Sequence, residues 1–318
     1  MGISASVKAL GLREALETRF SRQKVQQRIF ILTILIPLVI SFALFWVYPV
    51  VRGFWGSFTQ WRAFDPNAPF VGMQQYVKAL NDPIFRISLR NTFYYTVLTI
   101  PANVILALLL ALAIEASGRA RTAFRTIYFL PVVTSTIATA LVWKWLYQPS
   151  LGLFNQLLTL AGLPTQRWLL SPQLALPSIA IYSIWKNVGF TMVIFMAGLT
   201  TIPQSFYDAA KVDGANRWQT FWHITIPLLQ PTFVFVLVTG VIGALQVFGP
   251  IYVMSAAAGD ALPGGPNNST MVVAVYQWLM AFRELELGYG SAMGLILFLI
   301  ILALTLLQLR ILQTRWEY

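Results

Sequence analysis

Few side chains in this sequence can do chemistry, and they fall in three places. The first is a polar island, Tyr207-Asp208-Ala209-Ala210-Lys211-Val212-Asp213-Gly214-Ala215, followed by Ile224-Thr225-Ile226-Pro227 and flanked by long apolar runs. The second surrounds Lys186, which stands inside an apolar run with Trp185, Asn187 and Gly189 beside it. A charge so placed either faces a bundle interior or aqueous path, or snorkels from a shifted span, and both readings stay open. Gln246 and Asn103 add uncharged hydrogen-bonding groups in other runs, able to serve a path or to join two helices. The third is the stretch Gly259 to Thr270, whose Gly, Pro and Asn content is turn chemistry suited to contact with an external partner.

What is missing narrows the chemistry further. The sequence has no cysteine, which excludes disulfides, thiolate zinc sites and thiol nucleophiles, and its single histidine, His223, excludes histidine metal clusters. No Gly-x-x-x-x-Gly-Lys-Ser/Thr stretch is present to cradle a nucleotide. Of the 318 residues 57% are hydrophobic and only 10% charged, against about 25% charged in soluble domains. Lipid is therefore the expected solvent. The net charge of +11 could suggest nucleic acid, but the cations are scattered, and they read as holding loops on the cytoplasmic side.

The elements that must position these residues are six apolar runs, 28–50, 92–115, 124–147, 174–199, 226–254 and 291–312, each long enough to cross about 30 Å of hydrocarbon. The first follows the cations Lys8, Arg13, Arg19, Arg22, Lys24 and Arg28, is too long for a signal peptide, and reads as a retained anchor. Its basic flank places both termini inside, although the first outer loop carries Arg52, Arg62, Lys78, Arg86 and Arg90 against that bias. The expected organisation is a cytoplasmic segment 1–27 and an all-α polytopic membrane domain 28–315 with six transmembrane helices and a cytoplasmic loop 203–225. Lys144, near the outer end of the third run, can snorkel. Pro101, Pro131, Pro231 and Pro250 permit kinks. An amphipathic helix is expected over about 73–89, interrupted by Pro83 and lying at the outer interface.

Within the island, Pro203 ends the fourth helix and Ser205 with Asp208 resembles a capping box that starts a short one. Ala209 and Ala210 give a low-relief face, and Gly214 can take positive φ and stop the helix. A second short helix over 216–224 presents Trp218, Phe221 and Trp222, and Pro227 enters the fifth span.

The order of residues in the island resembles the EAA loop of ABC-importer permeases: Asp208-Ala209-Ala210, Gly214, then Ile224-Thr225-Ile226-Pro227, with Asp208 in place of the family's Glu and Ile226 in place of Leu. Phe124 to Pro131, Trp143 to Tyr147, Trp185 to Phe190 and Gln246-Val247-Phe248 extend the resemblance, over roughly residues 25–315, to the carbohydrate-type, maltose-importer-like permeases. The resemblance implies a type I ABC importer permease fold in a bacterial or archaeal inner membrane. It implies ATP-driven uptake of a sugar or oligosaccharide by alternating access. The implied partners are a second homologous permease subunit, two ATP-binding subunits and an extracytoplasmic solute-binding protein. The chain itself would carry no cofactor and be no enzyme, with ATP and Mg held by the ATPase subunits. Asp208, Ala209, Ala210, Asp213, Gly214 and Ala215 would couple to an ATPase subunit. Trp185, Lys186, Asn187, Gly189 and Gln246 would line the substrate path, and Gly264, Gly265 and Pro266 would meet the binding protein, after a stretch Ala256–Pro263 longer than the family's. The same machinery could carry glycerol-3-phosphate, attracted by Lys186. The alternative of another class is an autonomous secondary transporter, against which stands the lack of acids inside the spans.

Overall fold

The computed structural model describes residues 26–312 apart from 28, 66 and 257–261. The cations Lys8, Arg13, Arg19, Arg22, Lys24, Arg28 and Arg315 lie outside the described residues, as does most of Ala256–Pro263. The chain divides into two units, Met1–Gly56 and Ser57–Tyr318.

The described residues of the first unit form one long helix, α1 (Ile29–Gly56), with a π-helical turn at Ala43–Val47. It exposes Phe30, Phe45, Trp46 and Val50 around its circumference. A helix apolar all round has no water-facing side, which is the pattern of a membrane span.

The second unit is built on two long helices. The short α2 (Gln74–Asn81) ends at Asp82, and α3 (Pro83–Glu115) follows at once. Pro83 therefore opens a span where an interrupted amphipathic helix was expected. The reason is local: Asp82 caps α3, its carboxylate accepting from the amides of Ile84 at 2.8 Å and Phe85 at 3.3 Å, and proline at the first helical position loses no hydrogen bond. At 33 residues, α3 is about 50 Å long, so its charged first turns, with Arg86 and Arg90, extend past an apolar stretch that begins near residue 92. Ser88, Thr92, Thr96 and Thr99 each return a hydroxyl to the carbonyl four residues earlier at 2.7–2.8 Å, which hides these groups inside the bundle. Further along, Val104, Ala107, Leu108, Ala111 and Ile114 form a stripe against Val188, Met192, Phe195 and Met196 of α7 (Ala175–Thr201).

Two expected spans are broken. The third is α4 (Arg121–Val133) and α5 (Thr136–Leu146), bent by 95°. Pro131 removes a donor from the last turn of α4, Thr134 is extended, and Ser135 caps α5 through the Ala138 amide at 3.4 Å. The fifth is α9 (Arg217–Leu228) and α10 (Gln230–Leu245), bent by 63° at Leu229. It does not run on to residue 254: Gln246–Phe248 leave the helix, and α11 (Gly249–Ser255) restarts with Pro250 in its first turn. Pro231 and Pro250 thus start helices and do not kink them. Between these lie α6 (Leu153–Leu160) and α8 (Gln204–Val212), and the chain closes with α12 (Val273–Trp278) and α13 (Leu287–Leu312). Among the described residues four helices are long and apolar enough to cross a membrane, and up to six spans result when each bent pair counts as one.

One half-buried knot ties three of these elements. The Asp82 carboxylate accepts from Tyr276 of α12 at 2.5 Å and Tyr289 of α13 at 2.6 Å. Burial pushes this carboxyl up, but the two phenols with the Ile84 and Phe85 amides outweigh it and hold Asp82 below its ordinary value of 3.8. Lys78, paired with Glu286, sits 4.1 Å from the centre of the Tyr289 ring.

Candidate functional site

A cavity of ≈ 410 Å³ opens between α3, α7, α10 and the start of α11. Its polar lining comes from Tyr95, Thr99 and Asn103 on α3, Ser183, Lys186 and Asn187 on α7, and Thr136 and Thr239 across from them. Phe190 and Phe248 supply aromatic surface, while Gly240 and Gly243 keep α10 low on one wall. The Asn187 amide donates to the Ser183 carbonyl at 2.8 Å, leaving its oxygen as an acceptor. Ser183 is 4% exposed, and its hydroxyl, beside Tyr95, makes no well-formed hydrogen bond.

Of the five residues expected along a substrate path, Lys186 and Asn187 line this cavity. The other three do not. Trp185 packs on Trp143, with ring centres 5.2 Å apart, in an aromatic cluster that includes Tyr182. Gly189 is where α7 crosses α4: a Cβ there would run into the Tyr128 carbonyl. Gln246 is exposed at the break after α10. Asn103, 8% exposed, joins the lining instead.

Lys186 is 6% exposed and does not snorkel. Its ammonium donates to the Pro131 carbonyl, to the Thr134 carbonyl at 2.6 Å and to the Thr134 hydroxyl at 3.1 Å, with the Val132 carbonyl at 3.4 Å. These acceptors lie at the broken end of α4, where the Pro131 carbonyl also takes the Thr134 hydroxyl at 2.6 Å and the helix dipole favours a cation. Lys144 also turns inward, donating to the carbonyls of Ala256 and Val253 at the end of α11. Both intramembrane lysines therefore close the ends of interrupted helices. The pairing of a lysine with a helix break is not written in the local sequence of either partner.

The polar island folds as an elbow. Pro203 is the N-cap residue of α8, with no side-chain cap, so the expected Ser205–Asp208 capping box does not form. The helix begins two residues too early for it. Asp208 instead accepts from Lys211 at 3.1 Å and Gln204 at 3.3 Å. Those two hydrogen bonds hold its carboxyl below 3.8. At the other end Gly214 has φ +74°, the Ala215 amide reaches back to the Ala210 carbonyl at 2.9 Å, and the Gly214 amide to Lys211 at 3.2 Å. That pair of bonds is a complete Schellman closure. Asn216 then starts α9 with a reciprocal capping box to Gln219. The Asn-x-x-Gln spacing was available in the sequence as its signal.

Ala209 is exposed but Ala210 is buried, so only one of the alanine pair offers a surface. Around Ala209 the elbow exposes Phe206 (44%), Val212 (87%), Trp218 (69%) and Trp222 (49%). Apolar side chains gathered on an exposed turn suit contact with another protein or with the membrane surface. Sequence reasoning missed Phe206 and Val212, whose outward direction depends on where α8 begins.

Of the third candidate, residues 262–270 are described, and they are anchored to the bundle. Gly264 is buried, its amide donating to Ser255 at 2.9 Å, while the Asn91 side chain on α3 holds the carbonyls of Asn268 and Met271, both at 2.9 Å. Gly265, at φ +68°, and Pro266 are half-buried beside it.

A helical membrane bundle with an internal polar cavity and an exposed apolar elbow has the build of a transport subunit. The family described as binding-protein-dependent transport system inner membrane component matches residues 88–317, and the chain belongs to that family. A probable ABC transporter permease of Pyrococcus horikoshii is 36% identical over 87% of this chain and 93% of its own length. The trehalose/maltose transport system permease protein MalF of Thermococcus litoralis is 33% identical over 87% of this chain and 91% of its own. Among solved structures, a chain of a bacterial ABC transporter involved in import of the acidic polysaccharide alginate matches with a TM-score of 0.78 and 25% identity, covering 91% of this chain and 97% of that one. The fold is thus that of an ABC importer permease, and the relatives include sugar permeases.

Proposed function

We propose that this chain is one of two permease subunits of an ATP-driven importer that takes up a sugar or oligosaccharide handed over by an external binding protein. The elbow α8–α9 seats in a cytoplasmic ATPase subunit, which holds ATP and Mg, and a second ATPase subunit serves the partner permease. Both termini then lie in the cytoplasm, with Gly265 and Pro266 on the opposite side near the binding protein.

One observation carries this reading: α7 lines the cavity with Ser183, Lys186 and Asn187 and joins the elbow through only Ile202 and Pro203. A displacement of α8 is passed directly to the cavity wall. Tyr207 adds a second tie, its hydroxyl 3.4 Å from Thr225 of α9. Hydroxyl and amide groups with aromatic faces suit a saccharide, since each can both donate and accept or stack on a ring.

The test is purification of the chain from its native membrane in mild detergent with identification of what accompanies it. An ATPase subunit and a second permease should co-purify, and Asp208→Lys should lose the ATPase while keeping the permease. Recovery of the chain alone, stable and monodisperse, would refute the reading.

A further inference from the structure

We propose that the cavity admits uncharged, hydroxyl-rich solutes and offers no seat to an anion, because its one cation is consumed by the broken third span. The inference rests on the reading of this cavity as the solute path and deepens it.

Among the described residues the lining contains no carboxylate, and Lys186 is its only basic side chain. An ammonium has three N–H donors. Those of Lys186 meet the Pro131 carbonyl, the Thr134 carbonyl and the Thr134 hydroxyl, with the Val132 carbonyl close by. Its charge also lies against the negative end of the α4 dipole, equivalent to about half an elementary charge. A phosphate or carboxylate could take hydrogen bonds from Lys186 only in competition with these acceptors, which already engage its three N–H groups. A neutral polyol makes no such demand. It meets instead the Ser183 hydroxyl, which is 4% exposed and without a well-formed partner, and the free acceptor of Asn187.

The absence of cysteine makes the test direct. Asn187→Cys places one thiol in the cavity of the membrane-embedded chain. Its modification rates are measured with an anionic and a cationic methanethiosulfonate of similar size. The ratio of the two rates cancels any change in thiol acidity and reads the local charge. The ratio should stay within about threefold of that for a free thiol, whereas an available ammonium beside it would favour the anion by on the order of tenfold or more. Adding Lys186→Met should shift the ratio by less than threefold, and the first comparison stands even if that variant fails to fold. A strong anionic preference in the Lys186 chain would overturn the charge inference and leave the solute path intact. Failure of both reagents to react would overturn the solute-path reading itself, and this inference with it.

Discussion

Replacing Gly214 by valine isolates what the elbow needs from its backbone. Nothing lies within 4 Å of a Cβ added at Gly214, so the substitution causes no collision. The cost is conformational: φ is +74°, and a β-branched residue held there pays about 1–3 kcal/mol. Relief by rotating φ would forfeit the Ala215–Ala210 and Gly214–Lys211 closures, each contributing about 0.5–1.5 kcal/mol. Either route disfavours the observed turn by roughly 2 kcal/mol, about a thirtyfold shift in its population. Gly214→Asn keeps access to positive φ and should retain most of the turn. The assay is solute uptake in cells expressing the whole importer, normalised to the amount of chain in the membrane. Valine should depress uptake at unchanged abundance, with asparagine close to the parent. Normal uptake by the valine variant, or equal loss in both, would refute the reasoning.

Other expectations follow from the packing. Gly189→Val would drive side-chain atoms into the Tyr128 carbonyl where α7 crosses α4. It should cost at least about 1–3 kcal/mol, read as a lower melting temperature in detergent, and an unchanged melt would show that the crossing is looser than described. Asp82→Ala removes the acceptor of Tyr276 and Tyr289 and should destabilise the chain by about 1.5–3 kcal/mol or more. Because Asp82 sits below its ordinary 3.8, its contribution is fully present above that pH and is lost only as pH falls through the lower folded value. Melting of the parent chain should therefore show no Asp82-dependent change between about pH 5 and 8. A loss near pH 6 that Asp82→Asn abolishes would contradict the knot.

Apolar length alone located the four unbroken spans, because a run such as 291–312 needs only composition to be recognised. The start of α3 was harder to see. Arg86 and Arg90 end the apolar signal, while the helix continues because Asp82 and Pro83 provide its cap and first turn. The breaks in the third and fifth spans were hidden for a different reason. Pro131 and Pro231 mark weak points, but proline is compatible with a continuous membrane helix. The break at Thr134 is held by Lys186, more than fifty positions away in the chain. The Schellman turn at Gly214 was legible because φ > 0 is a property of the residue itself. The cavity was half legible: Asn187 shares the face of α7 that carries Ser183, whereas Trp185 and Gly189, two residues to either side, point elsewhere on a helix of 3.6 residues per turn.

The Asp82 knot sets where this unit can bend. By clamping the entry of α3 to α12 and α13, it makes that end a fulcrum, and α3 a lever that runs unbroken through Pro101. A rotation of about 5° there would sweep the far end of α3 through roughly 4 Å, a stroke nearly as long as one helical turn. Compliance is left to the two bent pairs, so the angles at Thr134 and Leu229 are the coordinates along which the cavity can change shape.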